Sequence, residues 1–146
     1  MIDEPDVDFS RWREWRYRDR LFDEYTVPPD FGLLGVYLFA AFEPSEQPTL
    51  NPMGAHLDEH VVYIGMSTHV TRRNDKFHNA IRRFKDDLHK TPTAVLWYTD
   101  WESPWSNGEL SRVGGEAKRA YILYIERKLI WEFTKAFNRL PKLNRM

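Results

Sequence analysis

The spacing of hydrophobic positions predicts strands in three parts of the chain. Apolar and β-branched residues are concentrated in segments 33–42, 60–66 and 93–101. The first segment is apolar almost throughout, as expected for a central strand buried on both faces. Residues 43–60 separate the first two strands and contain three Pro and one Gly without any periodicity, so a long inserted loop is predicted there.

The remaining periodic segments predict helices. Apolar side chains recur at helical spacing over 71–90 and 116–137. A helix over 11–24 is predicted because Ser10 can cap it and Trp12, Trp15 and Phe22 fall on one face. The order helix, strand, strand, helix, strand, helix indicates an α+β protein. Its N-terminal helical arm covers residues 1–30 and its main domain covers 31–146.

Composition narrows the class of protein. A chain of 146 residues with 42% hydrophobic residues is typical of one globular domain. The absence of cysteine excludes a disulfide scaffold, a thiolate metal site and a Cys nucleophile. The longest apolar run, 31–42, is shorter than the ~20 residues that span a bilayer, and the acidic N-terminus lacks the features of a signal peptide. We therefore expect no membrane association and a cytoplasmic location.

The net charge of −1 conceals an asymmetric distribution. Residues 61–146 carry 16 Lys or Arg against 9 Asp or Glu, whereas segments 1–8 and 43–60 contain acids and no Lys or Arg. A basic half is compatible with a polyanionic partner, although charge alone does not establish one.

Two charged residues interrupt the apolar faces of the predicted helices. Arg73 begins the apolar stripe of the 71–90 helix, and Glu126 lies at the centre of the apolar face of the 116–137 helix. A buried carboxylate needs a partner or a metal ion, and a buried guanidinium needs a carboxylate or a cleft. The pattern is compatible with a buried ion pair and with a phosphate clamp beside a metal ligand.

The strand pair resembles the GIY-YIG nuclease family. Six features occur in the family's order: Gly35-Val36-Tyr37, Tyr63-Ile64-Gly65, Ser67, Arg73, Glu126, and Asn144 within Pro141-Lys142-Leu143-Asn144. The resemblance covers roughly residues 33–144. It implies a small three-stranded antiparallel sheet with helices packed on it in an α/β sandwich.

The resemblance also implies a chemistry. It implies a divalent-metal-dependent endonuclease that hydrolyses DNA, of a restriction, defence or mobile-element type, with Mg²⁺ or Mn²⁺ held by Glu126. Tyr37 would be the general base, Tyr63 would orient the water or contact the phosphate, and Arg73 would neutralise charge on the phosphoryl oxygens. Asn144 would hold the Tyr or Arg through hydrogen bonds. Further basic residues are candidates for contacts with double- or single-stranded DNA: Arg72, Arg82, Arg83, Lys85 and Lys142.

The chain departs from the family in two ways. Its 25 residues between Tyr37 and Tyr63 are more than the family usually has, and the surplus is the acidic 43–60 loop. Phe77 stands where many members have a His, and His78 follows one residue later. Lys76 and His78 both remain candidates for lowering the pKa of Tyr37.

Three alternatives remain open at this point. A nucleic-acid-binding module that has lost catalysis would carry many of the same residues. An interaction subunit would use the aromatic stripe of Tyr121, Tyr124 and Trp131, packed on Trp12 and Trp15 or on a second subunit, in a homodimer or with a partner protein. Finally, His56-Leu57-Asp58-Glu59-His60 matches the H-x-x-E-H pattern of inverted zinc proteases. Because that chemistry needs a helix, we interpret it as a chance pair of surface histidines.

Overall fold

A four-stranded antiparallel sheet is the centre of the fold. The computed structural model describes residues 4, 6–9, 12–15, 35–48, 51–67, 95–102 and 115–144. The strands are β1 (Arg13–Trp15), β2 (Gly35–Phe42), β3 (Val61–Ser67) and β4 (Val95–Glu102), in the order β1-β4-β2-β3. One long helix, α1 (Gly115–Phe137), follows them. The predicted α+β class is confirmed, and the three predicted strands and the last helix lie close to their expected positions.

The prediction of a helix at the N-terminus is wrong for residues 13–15. Arg13, Glu14 and Trp15 pair antiparallel with Tyr98, Trp97 and Leu96 of β4 and add a fourth strand to the sheet. Without β1, the edge of β4 would leave backbone N–H and C=O groups without a strand partner. This pairing overrides the weak local preference for helix. The rest of the predicted 11–24 helix lies outside the described residues.

One face of the sheet forms the main core against α1. Alternate residues of β2 (Val36, Leu38, Ala40 and Phe42) contribute to this core, as do Ile122, Ile125, Leu129 and Phe133 of α1. The other β2 side chains, including Tyr37 and Phe39, are also buried. The period of two along a strand separates these sets onto opposite faces. Burial on both faces explains why the sequence of β2 is apolar almost without interruption.

The predicted 43–60 loop contains a short 3₁₀ helix, Pro52–Leu57, that docks on α1. His56 is buried, so its interpretation as a surface residue is wrong. Its Nε2–H donates to Glu132 Oε2 of α1 over 2.6 Å, whereas His60 Nδ1 lies 2.7 Å from Asp58 Oδ1. The two histidines therefore have different partners, and the described residues contain no group of three potential metal-ligating side chains. This arrangement does not support a zinc protease.

We expect His56 to make stability sensitive to acid. Burial lowers the pKa of His56, against the opposing effect of Glu132. The unfolded chain, with an ordinary pKa of about 6.5, therefore binds more protons than the folded chain as the pH falls below that value. The stability that the neutral His56 contributes is fully present above about pH 6.5. It is lost as the pH falls from that value through the lowered pKa of His56 in the folded protein. Thermal unfolding followed by circular dichroism should show this loss, and His56→Gln should reduce its slope. Parallel curves for the two proteins would contradict the assignment.

The end of α1 directs the C-terminal tail back to the sheet. Asn138 follows the helix with a φ of 58°, a left-handed conformation that asparagine tolerates at helix ends, and its N–H donates to Thr134 O over 2.7 Å. Leu143 N–H then donates to Val62 O of β3 over 2.8 Å. The tail thereby pairs with the outer edge of β3, beside the Tyr63-Ile64-Gly65 tripeptide.

The predicted 71–90 helix lies outside the described residues. In the parts of the chain that the structure describes, no helix is long and apolar enough to cross a membrane.

Candidate active site

Two tyrosines from adjacent strands meet on the face of the sheet opposite the main core. The β2–β3 register places Tyr37 opposite Gly65 and Phe39 opposite Tyr63. The side chains of Tyr37 and Tyr63 share a hydrogen bond, and their ring centroids are 5.9 Å apart. The side chains are only 2% and 4% exposed. The structure therefore brings together the tyrosines of the two tripeptides.

Gly65 makes this approach of the two tyrosines possible. A Cβ atom at Gly65 would lie 2.5 Å from Tyr37 Cζ, 2.6 Å from the Tyr37 hydroxyl and 2.6 Å from Tyr63 Cε1. Cross-strand neighbours point to the same face of a sheet, so any side chain at 65 would occupy the position of the Tyr37 ring. Glycine is required here by space.

Glu126 of α1 exerts an electrostatic effect on Tyr37. It is 6% exposed, which confirms that its side chain points into the interior. The pKa of Tyr37 is raised well above its ordinary value, first by burial, then by Tyr63, and also by the negative charge of Glu126. Like charges that approach in a buried site disfavour a second ionisation. Tyr37 therefore keeps its proton near neutral pH in these surroundings, and a role as general base would need a nearby cation to lower its pKa.

Asn144 fixes the backbone between Tyr63 and Gly65. Ile64 N–H donates to Asn144 Oδ1 over 2.9 Å, and Asn144 Nδ2 donates to Ile64 O over 2.8 Å. The side-chain amide thus pairs with β3 as another strand would. These bonds go to the backbone rather than to a tyrosine or arginine side chain, so Asn144 positions Tyr63 through the strand itself.

Replacing Asn144 by alanine should destabilise the protein by about 2 kcal/mol, because two hydrogen bonds to a buried residue are lost. Urea unfolding measures this change. Lys142→Ala is the matched control in the same tail, and since Lys142 is exposed, a change below about 0.5 kcal/mol is expected. Equal losses from the two substitutions would mean that the tail does not anchor β3.

Two residues of β4 border the tyrosine pair and were not identified from the sequence. Tyr98 is buried, and its ring stacks on Tyr37 with centroids 6.5 Å apart. Asp100 is the cross-strand partner of Tyr37, so it lies on the same face. The alternation within β4 places these residues on one face, but only the register between strands shows that the face is that of Tyr37.

Several candidates from the sequence cannot be placed. Those that lie outside the described residues are Arg72, Arg73, Lys76, His78, Arg82, Arg83 and Lys85. Lys142 is exposed on the tail, two residues from Asn144. Tyr37, Tyr63, Glu126 and Asn144 are therefore the four candidates whose surroundings the structure describes in detail.

The oxygen donors at this site suit a hard divalent cation. Glu126 offers a buried carboxylate whose charge acts on the Tyr37 phenol, and Mg²⁺ prefers oxygen ligands. Within the described ranges no cluster of three or more His, Cys, Asp or Glu could enclose an ion. One carboxylate is compatible with Mg²⁺ because this ion usually keeps several waters and shares phosphate oxygens of the substrate.

Comparison of the chain with family models, with curated proteins and with solved structures finds no match in any of the three. The functional interpretation consequently depends on the residues and geometry of this chain.

Proposed function

We propose that the protein is a divalent-metal-dependent endonuclease that hydrolyses DNA phosphodiester bonds. The observation that carries the proposal is the pairing of Tyr37 of β2 with Tyr63 of β3, together with the buried Glu126 of α1, whose charge acts on Tyr37. Two distant strands supply the tyrosines, and Gly65 makes room for their approach. The resemblance to GIY-YIG nucleases identified the same residues from their order in the chain.

Each residue of the described site has a proposed role. Glu126 would hold Mg²⁺ or Mn²⁺ through its carboxylate, and the bound ion would supply stabilisation of negative charge on the scissile phosphate. Tyr63 would contact the phosphate or orient the attacking water. Hydrolysis joins the water oxygen to phosphorus and releases the 3′ oxygen of the DNA. Arg73, outside the described residues, would neutralise the charge that develops on the phosphoryl oxygens.

The role of Tyr37 follows from its retained proton. Burial and Tyr63 both raise the pKa of Tyr37 more than Glu126 does. We propose that Tyr37 acts as a hydrogen-bond donor that positions Tyr63 or the water. For Tyr37 to act instead as the base, Lys76, His78 or the metal would have to lower its pKa.

A second candidate function is a nucleic-acid-binding module without catalysis. The observation that favours it is the burial of Tyr37, Tyr63 and Glu126, none of which is more than 6% exposed. A substrate phosphate would need local access to these groups, whereas a binding module would not.

Incubation of the protein with supercoiled plasmid and with single-stranded DNA separates the two functions. The nuclease proposal predicts nicked and linear products with Mg²⁺ or Mn²⁺ and none with EDTA. Binding to both DNAs without cleavage in either metal would favour the silent module. Absence of both binding and cleavage would contradict both proposals and favour an interaction subunit.

A further inference from the structure

A row of exposed aromatic and basic side chains follows α1 on the side opposite its buried face. We call this the outer ridge of α1; it consists of Tyr124, Arg127, Lys128, Trp131 and Lys135, all exposed. Their spacing of three, four and seven residues places them on one face of the helix. Ile122, Glu126 and Phe133 mark the buried face on the other side.

The two rings of the outer ridge are unusually open to solvent. Trp131 is 60% exposed and Tyr124 is 48% exposed. Both rings therefore present about half or more of their surface to solvent. The rings are two helical turns apart, about 10 Å along the axis. At a rise of about 3.4 Å per nucleotide, this distance corresponds to roughly three stacked bases.

Basic groups accompany each ring. Lys128 Nζ lies 6.0 Å from the centroid of Tyr124, and Lys135 Nζ lies 5.9 Å from the centroid of Trp131. Lys128 Nζ is also 3.7 Å from Glu4 Oε1, but an exposed pair of this kind contributes little and is easily exchanged.

Of the acidic residues on the same helix, Glu132 lies at helical spacing from Lys128 and Lys135 and offsets part of their charge. Glu126 is buried, and Glu132 accepts a hydrogen bond from His56 on the side of the helix. Glu116 lies in the first turn, two helical turns before Tyr124. The outer ridge therefore presents aromatic faces within a positively charged strip.

We propose that the outer ridge of α1 binds single-stranded nucleic acid, with bases stacked on Trp131 and Tyr124 and phosphates beside Lys135, Lys128 and Arg127. Exposed aromatic rings accept unpaired bases of any sequence, and the positive charge complements the sugar-phosphate backbone. Base-paired DNA keeps its ring faces stacked inside the helix and gains only the charge contribution. The proposal goes beyond cleavage and is independent of metal, since stacking and phosphate contacts need neither Glu126 nor a cation.

Fluorescence anisotropy in EDTA tests the proposal without cleavage. The probes are labelled oligo(dT), oligo(rU) of equal length and a DNA hairpin duplex. We expect both single strands to bind more tightly than the duplex. Trp131→Ala should weaken binding of single strands by roughly 5- to 140-fold, the range for loss of one stacked base. Trp131→Phe should retain part of the affinity because it keeps a ring.

Charge variants supply a matched pair. Lys135→Gln should reduce the slope of log K against log salt concentration by about 0.7, as expected for one phosphate contact with a single strand. Lys118→Gln makes the same change roughly a third of a turn around the helix from Tyr124, so the slope should not change. If the two variants had equal slopes of log K against log salt concentration, Lys135 would not contact a phosphate of the bound strand.

Several results would overturn the assignment. The assignment of a stacking surface would be excluded if Trp131→Ala bound both single strands as tightly as the wild type does. It would also be excluded if the wild type bound single strand and duplex equally well. Sedimentation measures whether the wild type is a dimer and Trp131→Ala a monomer. If it is, and if binding of oligonucleotides is unchanged, the outer ridge joins two copies of the chain instead. Thermal melting of each variant controls for folding, and little change is expected because Trp131 is mostly exposed.

Discussion

Gly65→Ala is expected to destabilise the protein by about 3 kcal/mol. The added methyl group would lie 2.5–2.6 Å from atoms of Tyr37 and Tyr63. Both rings are buried between neighbouring aromatic side chains, with Phe39 and Tyr98 at centroid distances of 5.6 and 6.5 Å from Tyr37. The rings cannot move away without disturbing this cluster or the hydrogen bond between the two hydroxyls. A fall of roughly 10 °C in the melting temperature corresponds to this loss for a domain of this size.

Gly54→Ala is the matched control for this substitution. Its Cβ would also come close to another atom, at 2.7 Å, but that atom is Nδ2 of the exposed Asn51 side chain. The end of an exposed side chain can rotate away, and the φ of Gly54, −132°, suits any residue. A change within about 0.5 kcal/mol is expected. A similar tolerance of alanine at 65 would contradict the described packing of the tyrosines.

Glu126→Gln should abolish cleavage while leaving the fold in place. The substitution keeps the size and polarity of the side chain but removes the negative charge that would hold a divalent cation. Loss of several kcal/mol of transition-state stabilisation corresponds to a rate reduction of about 10³-fold or more. DNA binding through other surfaces should persist.

Glu116→Gln supplies the control for Glu126→Gln. Glu116 lies on the same helix but is exposed in its first turn, far from the tyrosine pair. Removing its charge should leave the cleavage rate within about twofold of the wild type. Far-UV circular dichroism of both variants shows whether the helix is retained.

The strands and α1 could be predicted because their sequences carry strong periodic signals. The position of Glu126 was predictable for the same reason, since its neighbours at helical spacing are apolar. The short strand Arg13–Trp15 was not predictable, because three residues carry no clear period and the strand depends on pairing with β4. Local preference there favoured a helix.

The contents of the site were only partly predictable. Tyr37 and Tyr63 were found from the order of the tripeptides, but their hydrogen bond depends on the register between β2 and β3. For the same reason Tyr98 and Asp100 were not identified, because these β4 residues approach Tyr37 only through the pairing of β4 with β2. Register depends on contacts between distant segments, and single-strand patterns do not specify it.

The raised pKa of Tyr37 could not be foreseen from residue identities alone. The sequence indicated a tyrosine near a metal ligand, which suggested that a cation would lower its pKa. Burial and the neighbouring Tyr63 act in the opposite direction. The proposed role of Tyr37 changes accordingly from base to hydrogen-bond donor.

The most direct measurement of the central claim is the single-turnover rate of plasmid nicking in Mg²⁺ by the wild type, Glu126→Gln and Glu116→Gln. The proposed mechanism predicts cleavage by the wild type and Glu116→Gln and a loss of about 10³-fold or more in Glu126→Gln. Cleavage by Glu126→Gln at the wild-type rate would contradict the assignment of the active site. Failure of all three proteins to cleave a plasmid that they bind would contradict the nuclease proposal itself.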